Sequence, residues 1–284
     1  ALDLAERLGG EVVNTDSMQV YRGMDIGTAK IAPSERRGIP HHLMDVLDVT
    51  EPATVAEFQR WARAVIEDCH GRGVVPILVG GSALYTRAIL DEFEFPGTDP
   101  VVRARLEAEL AEVGAASLHA TLREVDPAAA EQVLPSNGRR VVRALEVIEI
   151  TGRPYSASLP EQRYHYRRAV QIGVDIDREA LDQRIEQRVE QMWSAGLVDE
   201  VRALEGRGLR EGRTAHRALG YRQVLAFLDG EITEAEAKEQ TFTGTRRFAR
   251  RQDSWFRKDP RITWVGYDDP ARVTKALDAI QQVR

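Results

Sequence analysis

The sequence predicts an α/β fold on a parallel sheet, interrupted by a helical insertion. Three observations carry that prediction. Val74–Val79 is an unbroken apolar run that passes straight into Gly80-Gly81-Ser82 and a helical pattern through Leu90; such a run suits a parallel strand buried on both faces. Glu11–Val13 is a second short apolar run, and Asp16, Ser17 and Gln19 follow it. An open α/β sheet places its chemistry there, at the carboxyl end of a strand. Between about Phe95 and Tyr166 the pattern turns helical, without β-branched runs.

Length and composition limit the classes. The chain has 284 residues, enough for one large domain or two small ones. Hydrophobic residues make up 43% and charged residues 30%, which fits a globular protein in water. No apolar run reaches the length of a membrane span and no signal peptide is visible. A single cysteine, Cys69, excludes an intramolecular disulfide and a Cys-based zinc site, so a reducing cytoplasm is the expected location. The net charge of −6 argues weakly against a nucleic-acid partner, but local distribution matters more than the sum. Only four of the 39 basic residues are Lys, a bias that a GC-rich genome explains and that also suits phosphate recognition.

In order along the chain, ALDLAERLGG reads as a helix body ending at Gly9 or Gly10. Asn14–Lys30 is the stretch around which the chain is organised. Within it Asp16 can accept a proton and Gln19 can pair with a base edge, or Asp16 can be a helix N-cap before a polar loop. His41–Val46 reads as a second strand. Thr54 and Glu57 form a capping box opening a helix whose apolar face includes Phe58, Ala62, Ile66 and Cys69. Cys69 is therefore expected in the core.

The Gly80-Gly81-Ser82 turn is phosphate-friendly, since glycine permits close approach and a helix N-terminus attracts anions. The same turn also occurs as ordinary strand-to-helix punctuation. Asp99-Pro100 and Asp126-Pro127 are helix starts, each an N-cap followed by Pro at N1. Arg139, Arg140 and Arg143 accompany an apolar stripe of Val142, Leu145 and Ile148, and read as a solvated face or a phosphate clamp. A strand at Ala169–Val174, a helix capped by Asp177 and another at Leu197–Leu204 follow. The polar turn Ala215–Gln223 then enters a helix.

Thr233 and Glu236 open a long helix to about Lys258. Its last part, Thr245–Lys258, holds six basic residues against one acid. Arg246 and Arg250 share a stripe with Arg257, Arg247 and Arg251 lie on the next, and Thr245, Phe248, Gln252 and Trp255 form the expected packing seam. This is the footprint of a nucleic-acid backbone site, although cations also simply stabilise a helix C-terminus. A strand at Ile262–Val265 and a terminal helix close the chain.

DSMQVYRGMDIGTAK (16–30), LVGGSALY (78–85), RRVVRALEV (139–147), HRALGYRQ (216–223) and TRRFARRQDSWFR (245–257) together resemble the tRNA dimethylallyltransferases, also called tRNA isopentenyltransferases, in order and over nearly the whole chain. The resemblance implies a P-loop NTPase-like parallel sheet core, residues 1–94 and 167–284, with C-terminal tRNA-facing helices. It implies a helical insertion at 95–166 that grips the tRNA anticodon stem-loop. It further implies transfer of a dimethylallyl group from dimethylallyl diphosphate to N6 of the adenosine 3′ to the anticodon, releasing diphosphate. Magnesium would be bound through the diphosphate, with no protein metal ligand among these residues and a protein hydroxyl ligand expected in the family's phosphate loop. The expected state is a cytoplasmic monomer without a membrane partner.

Carried over residue by residue, Asp16 matches the general base. Ser17 and Gln19, with Met18 between them, match the base-contacting stretch. Gly80, Gly81 and Ser82 match the diphosphate turn, with Ser82 also near the tRNA, and Arg217 matches the Arg that steadies the diphosphate. Arg103 and the segment Arg139, Arg140, Val141, Val142 and Arg143 match tRNA contacts, as do Arg246, Arg247 and Arg250.

The family's Gly-rich phosphate loop, ending in Gly-Lys-Ser/Thr, is expected just before ALDLAERL and is not in the sequence. The resemblance therefore implies a fragment of a longer protein, with a slot in its sheet and an impaired donor site. Three rival readings are an adenylate isopentenyltransferase acting on free nucleotide, a small-molecule kinase on the same core, and a catalytically dead tRNA-binding module. The insertion and the two Arg clusters argue against the first.

Overall fold

The computed structural model describes residues 1–93, 95–155 and 162–283. Residues 156–161, inside the expected insertion, lie outside the described residues. The chain forms two compact units, residues 1–90 with 164–284, and residues 91–163. Both junctions fall slightly before Phe95 and Tyr166. Backbone bonds close them: His165 N–H donates to Leu90 O at 2.7 Å, and Glu92 N–H to Arg163 O at 2.9 Å.

In the first unit, α1 (Leu2–Leu8) ends at Gly9, whose φ of 61° is the left-handed C-terminal conformation. It leads into β1 (Gly10–Asn14), which pairs in parallel with β2 (His41–His42) and β3 (Val75–Val79) in the order β2-β1-β3. Registers such as Val12 with His41 and Val12 with Ile77 bring Asn14 level with Val79. The strand expected at His41–Val46 stops after two residues, because Leu43 (φ 62°) and Asp45 (φ 58°) turn into the left-handed region. The second parallel sheet pairs β4 (Gln171–Asp175) with β5 (Ile262–Gly266).

β3 was expected to be buried on both faces, yet its residues are half-buried and Val79 is 36% exposed. Among the described residues, β3 and β4 each hydrogen-bond to a strand on one side only. That geometry leaves less cover than a central strand receives.

Helix α2 (Val55–Gly71) packs on the first sheet, and α3 (Ala83–Leu90) packs against α2. Thr54 caps α2 by accepting from Glu57 N–H, as its sequence predicts. Phe58, Ala62, Ile66 and Cys69 face the core. Cys69 is fully buried, and burial pushes its thiol up, so it is packed rather than nucleophilic. The core is completed by α7 (Arg178–Ser194), α8 (Leu197–Glu205) and α9 (Tyr221–Leu228), through residues such as Leu197, Val201, Tyr221 and Val224.

The second unit holds α4 (Pro100–Val125), α5 (Pro127–Gln132) and α6 (Gly138–Thr151). Asp99 and Asp126 cap α4 and α5 ahead of Pro at N1, as expected. Gly114 interrupts α4 with φ 80°. Leu106, Leu118, Leu122, Val141 and Leu145 make this unit's own core.

The long helix α10 (Glu234–Phe256) opens with the Thr233–Glu236 capping box, and α11 (Arg272–Gln281) ends the chain. Only Ala237 and Thr241 of α10 are buried. The seam expected at Thr245, Phe248, Gln252 and Trp255 is not a packed one, since Phe248 is 39% and Trp255 40% exposed. Helical spacing gives a face; it cannot say whether another element covers it.

Candidate active site

The site is built where β1 and β3 end side by side. Asn14 is buried at the end of β1 and acts as a bracket. Its Oδ1 accepts from Asp16 N–H at 2.8 Å, and its Nδ2 donates to Asp16 O and to Leu43 O, both at 3.0 Å. The chain then turns through Asp16, whose Oδ1 accepts from Met18 N–H at 2.8 Å. No helix follows, so Asp16 closes a turn rather than capping a helix. Burial raises the Asp16 carboxyl above its ordinary value, and the N–H groups of Met18 and Gln19 oppose that rise. A half-buried carboxylate with raised basicity is the type of group that accepts protons.

The turn after β3 meets this loop directly. Ser82 Oγ accepts from Ser17 N–H and donates to Ser17 Oγ, each at 3.3 Å. Gly80 is required by the approach of the two chains: a Cβ there would lie 2.7 Å from the Thr15 carbonyl carbon and 2.8 Å from Asp16 N. Gly81 O accepts from Gln252 Nε2 of α10 at 2.6 Å. The turn ends at the N-terminus of α3, where backbone N–H groups favour an anion. Tyr85, one turn into α3, has its hydroxyl pushed up to about 12 by burial, with Tyr21 and Asp16 as lesser causes.

Gln19 Nε2 donates to Thr28 O at 3.1 Å. Beyond it, the loop to Lys30 is tied by the buried Lys30 ammonium. Lys30 Nζ donates to Tyr21 O at 2.8 Å, Asp25 at 2.7 Å and Asp45 at 2.6 Å.

Arg217 lies in a short 3-10 turn, Ala215–Arg217, and is exposed. Its Nε donates to His216 Nε2 at 3.3 Å, and His216 Nδ1 faces Gly212 O at 2.5 Å. Among the described residues no hydrogen bond or ion pair joins Arg217 to Asp16 or Ser82. The structure thus brings Asp16, Ser17 and Ser82 together and leaves Arg217 outside that contact set.

The basic residues divide into two kinds. Arg246 pairs with Asp182 and stacks 5.2 Å over the Phe242 ring, while Arg250 lies 3.7 Å from the same Asp182. Arg247 and Arg251 are exposed, with no ion-pair partner among the described residues. In the second unit, Arg103 and Arg143 bind the fully buried Glu146 at 2.5 and 2.8 Å. Arg143 also donates to Pro96 O and Gly97 O. Val141 and Val142 were expected at a tRNA surface but are 0% and 1% exposed. Both face the core of their own unit, as the apolar stripe of Val142, Leu145 and Ile148 implies for Val142. Arg139 and Arg140 are exposed in the first turn of α6, without an ion-pair partner among the described residues.

Sequence reasoning missed Asn14 as a bracket, Gln252 as a turn anchor and Glu200, which accepts N–H groups from residues 25–27. Their partners are distant in sequence, so no local signal marks them. A cleft of about 460 Å³ between α7 and α10 includes Glu186, Glu190, Glu234 and Glu239 in its lining and none of the predicted site residues. Its charge is wrong for a diphosphate.

Residues 19–259 match the family model described as IPP transferase. The tRNA dimethylallyltransferase of Nocardioides sp. is 66% identical over 280 residues, covering 99% of this chain and 90% of the relative. That of Thermobifida fusca is 64% identical over 278 residues, 98% of this chain and 87% of the relative. The crystal structure of a Bacillus halodurans tRNA isopentenylpyrophosphate transferase superposes with a TM-score of 0.71 at 40% identity, covering 99% of this chain and 92% of that one. A eukaryotic dimethylallyltransferase acting on tRNA gives a TM-score of 0.81 at 26% identity, covering 99% and 72%.

Proposed function

The chain belongs to the IPP transferase family, and from that premise we propose that Asp16, Ser82 and the Gly80-Gly81 turn are the working end of its prenyl transfer. It is a tRNA dimethylallyltransferase on an α/β, P-loop-like fold. The acceptor is N6 of the adenosine 3′ to the anticodon, and the donor is dimethylallyl diphosphate.

An exocyclic adenine amine is a poor nucleophile, because its lone pair is delocalised into the ring. Asp16 takes the proton that the amine loses as N6 bonds to the allylic carbon and the carbon–oxygen bond to diphosphate breaks. Its raised basicity suits that step. Negative charge grows on the departing diphosphate. The N–H groups at the start of α3, the Gly80-Gly81 backbone and Arg217 stabilise it. A base that reaches this site leaves its stack, which costs least in a single-stranded loop.

The observation that carries the reading is the Ser17–Ser82 contact, which joins the acid-bearing loop to the phosphate-type turn. The described residues make a poor magnesium cage. Among them, the one group of three candidate ligand side chains is Glu11, His42 and Cys69, and Arg72 occupies both Glu11 oxygens at 2.8 and 2.7 Å. Magnesium is proposed to bind through the diphosphate, where it would neutralise leaving-group charge.

tRNA binding falls to the exposed basic residues of each unit. Arg139 and Arg140 stand at a helix N-terminus, where cations are unfavourable unless an anion joins them. Arg247 and Arg251 are exposed on α10, with no ion-pair partner among the described residues. Arg103, Arg143, Arg246 and Arg250 retain their proposed place near the tRNA, but they are also committed to Glu146 and Asp182. No helix among the described residues is long and apolar enough to cross a membrane.

The test is nucleoside mass analysis of an anticodon stem-loop incubated with the protein and dimethylallyl diphosphate. Isopentenyladenosine should form with the parent and not with Asp16→Asn. Equal product from both would remove Asp16 from the site.

A further inference from the structure

Three consecutive backbone N–H groups hang on one carboxylate. Glu200 of α8 accepts from Asp25 at 3.1 Å, Ile26 at 2.7 Å and Gly27 at 3.3 Å, and from the Tyr221 hydroxyl at 2.5 Å. Such charge-assisted bonds hold a loop more firmly than neutral ones. The fully buried Tyr221 supplies the opposite jaw. A Cβ on Gly27 would lie 2.5 Å from the Tyr221 ring and 2.9 Å from Leu197 Cδ1, so the loop backbone packs closely against the ring. Burial, and then the Glu200 charge, push the Tyr221 hydroxyl up, so it remains a donor.

The clamped loop ends on the base-contacting stretch. Thr28, next after Gly27, offers its carbonyl to Gln19 Nε2 at 3.1 Å, and its hydroxyl donates to Met24 O at 2.6 Å. A carbonyl accepts only, so the Gln19 amide must turn its nitrogen to Thr28. Its Oε1 is then left as an acceptor. An acceptor suits the N–H of an exocyclic amine and repels a ring carbonyl, which separates adenine from guanine at one position.

We propose that Glu200 is a positioning residue for prenyl transfer. By fixing residues 25–27 it steadies the adjoining Thr28 carbonyl, locks the Gln19 amide with Oε1 toward the adenine amine, and so contributes to base selection. The inference rests on the placement of Gln19 at the base site.

The test is a double-mutant cycle on the full chain, read as single-turnover transfer to an anticodon stem-loop. Glu200→Gln keeps size but loses the charge that gathers the amides. It should slow transfer about ten-fold, and in a Gln19→Ala background the same change should cost less than about two-fold, because both act through one group. A purely structural role would give the same loss in both backgrounds, and that result overturns the inference while leaving the site reading intact. Parental activity in Gln19→Ala alone overturns the site reading and the inference with it. Should Glu200→Gln fail to fold, Gly27→Ala lifts the loop from Tyr221 instead. The same cycle then applies: loss confined to the Gln19 background supports the clamp, and additive loss overturns it.

Discussion

Ser82 Oγ sits 3.3 Å from both the backbone nitrogen and the hydroxyl of Ser17, although 65 residues of chain separate them. This side chain ties the acid-bearing loop to the phosphate-type turn, alongside the close approach of Gly80 to Thr15 and Asp16. Removing it should loosen that tie more than it unfolds the protein, since a single hydrogen bond contributes roughly 0.5–1.5 kcal/mol net. Ser82→Ala is expected to lose about ten-fold or more in prenyl transfer, because misplaced reacting groups are costly. Ser82→Thr, which keeps the hydroxyl, should retain most activity. Steady-state rates of both variants, with thermal melts alongside, check this.

Asp16 predicts opposite signs for activity and stability. Its carboxyl titrates above the ordinary value because it is buried. Between the unfolded and folded pKa, the native state holds a proton that the unfolded state has lost. Stability therefore falls as pH rises through that window and levels off above it. Asp16→Asn keeps an oxygen for the Met18 and Gln19 N–H groups and removes the buried charge. It should melt at or above the parent temperature at neutral pH, with the advantage vanishing in acid. Prenyl transfer should drop by about 100- to 10,000-fold. In the parent, transfer should rise with pH as the carboxyl ionises. A variant that melts well below the parent at neutral pH would contradict this.

The arginines of the second unit should separate by function. Arg103 is a partner of the buried Glu146, so Arg103→Ala leaves a buried carboxylate short of a counter-charge. Breaking a buried pair from one side costs roughly 3–5 kcal/mol, somewhat less here because Arg143 remains. Arg139→Ala and Arg140→Ala remove exposed side chains with no ion-pair partner among the described residues, and should change stability by less than about 0.5 kcal/mol. They should weaken stem-loop binding while Arg103→Ala mainly lowers the denaturation midpoint. Urea titrations and binding isotherms on the three variants distinguish the roles.

On α10, the outward stripe should carry the salt dependence. Replacing Arg247 and Arg251 together should flatten the log–log slope of tRNA affinity against salt by about two units, if each meets a phosphate. Arg246 and Arg250 share Asp182, so their removal should cost less slope and more stability. Isotherms at several salt concentrations measure both. An unchanged slope in the Arg247/Arg251 variant would mark that stripe as an ordinary solvated helix face.

The sequence by itself determined everything governed by local spacing. The capping boxes at Thr54 and Thr233, the Asp-Pro starts at Asp99 and Asp126, and the buried face holding Cys69 all follow from residues within a turn or two of one another. The apolar runs also placed β1 and β3, and thereby the two polar turns that follow them. Tertiary structure decided which of those features meet and which are covered. It stopped β2 at His42, buried Val141 and Val142, and uncovered Phe248 and Trp255. It also converted Arg103 and Arg246 into partners of Glu146 and Asp182, and it alone brought Glu200 to the amides of residues 25–27. The reason is physical. Helix caps and amphipathic faces are set by bonds a few residues long, whereas burial and charge pairing depend on which distant surface packs opposite, and hydrophobic spacing does not encode that choice.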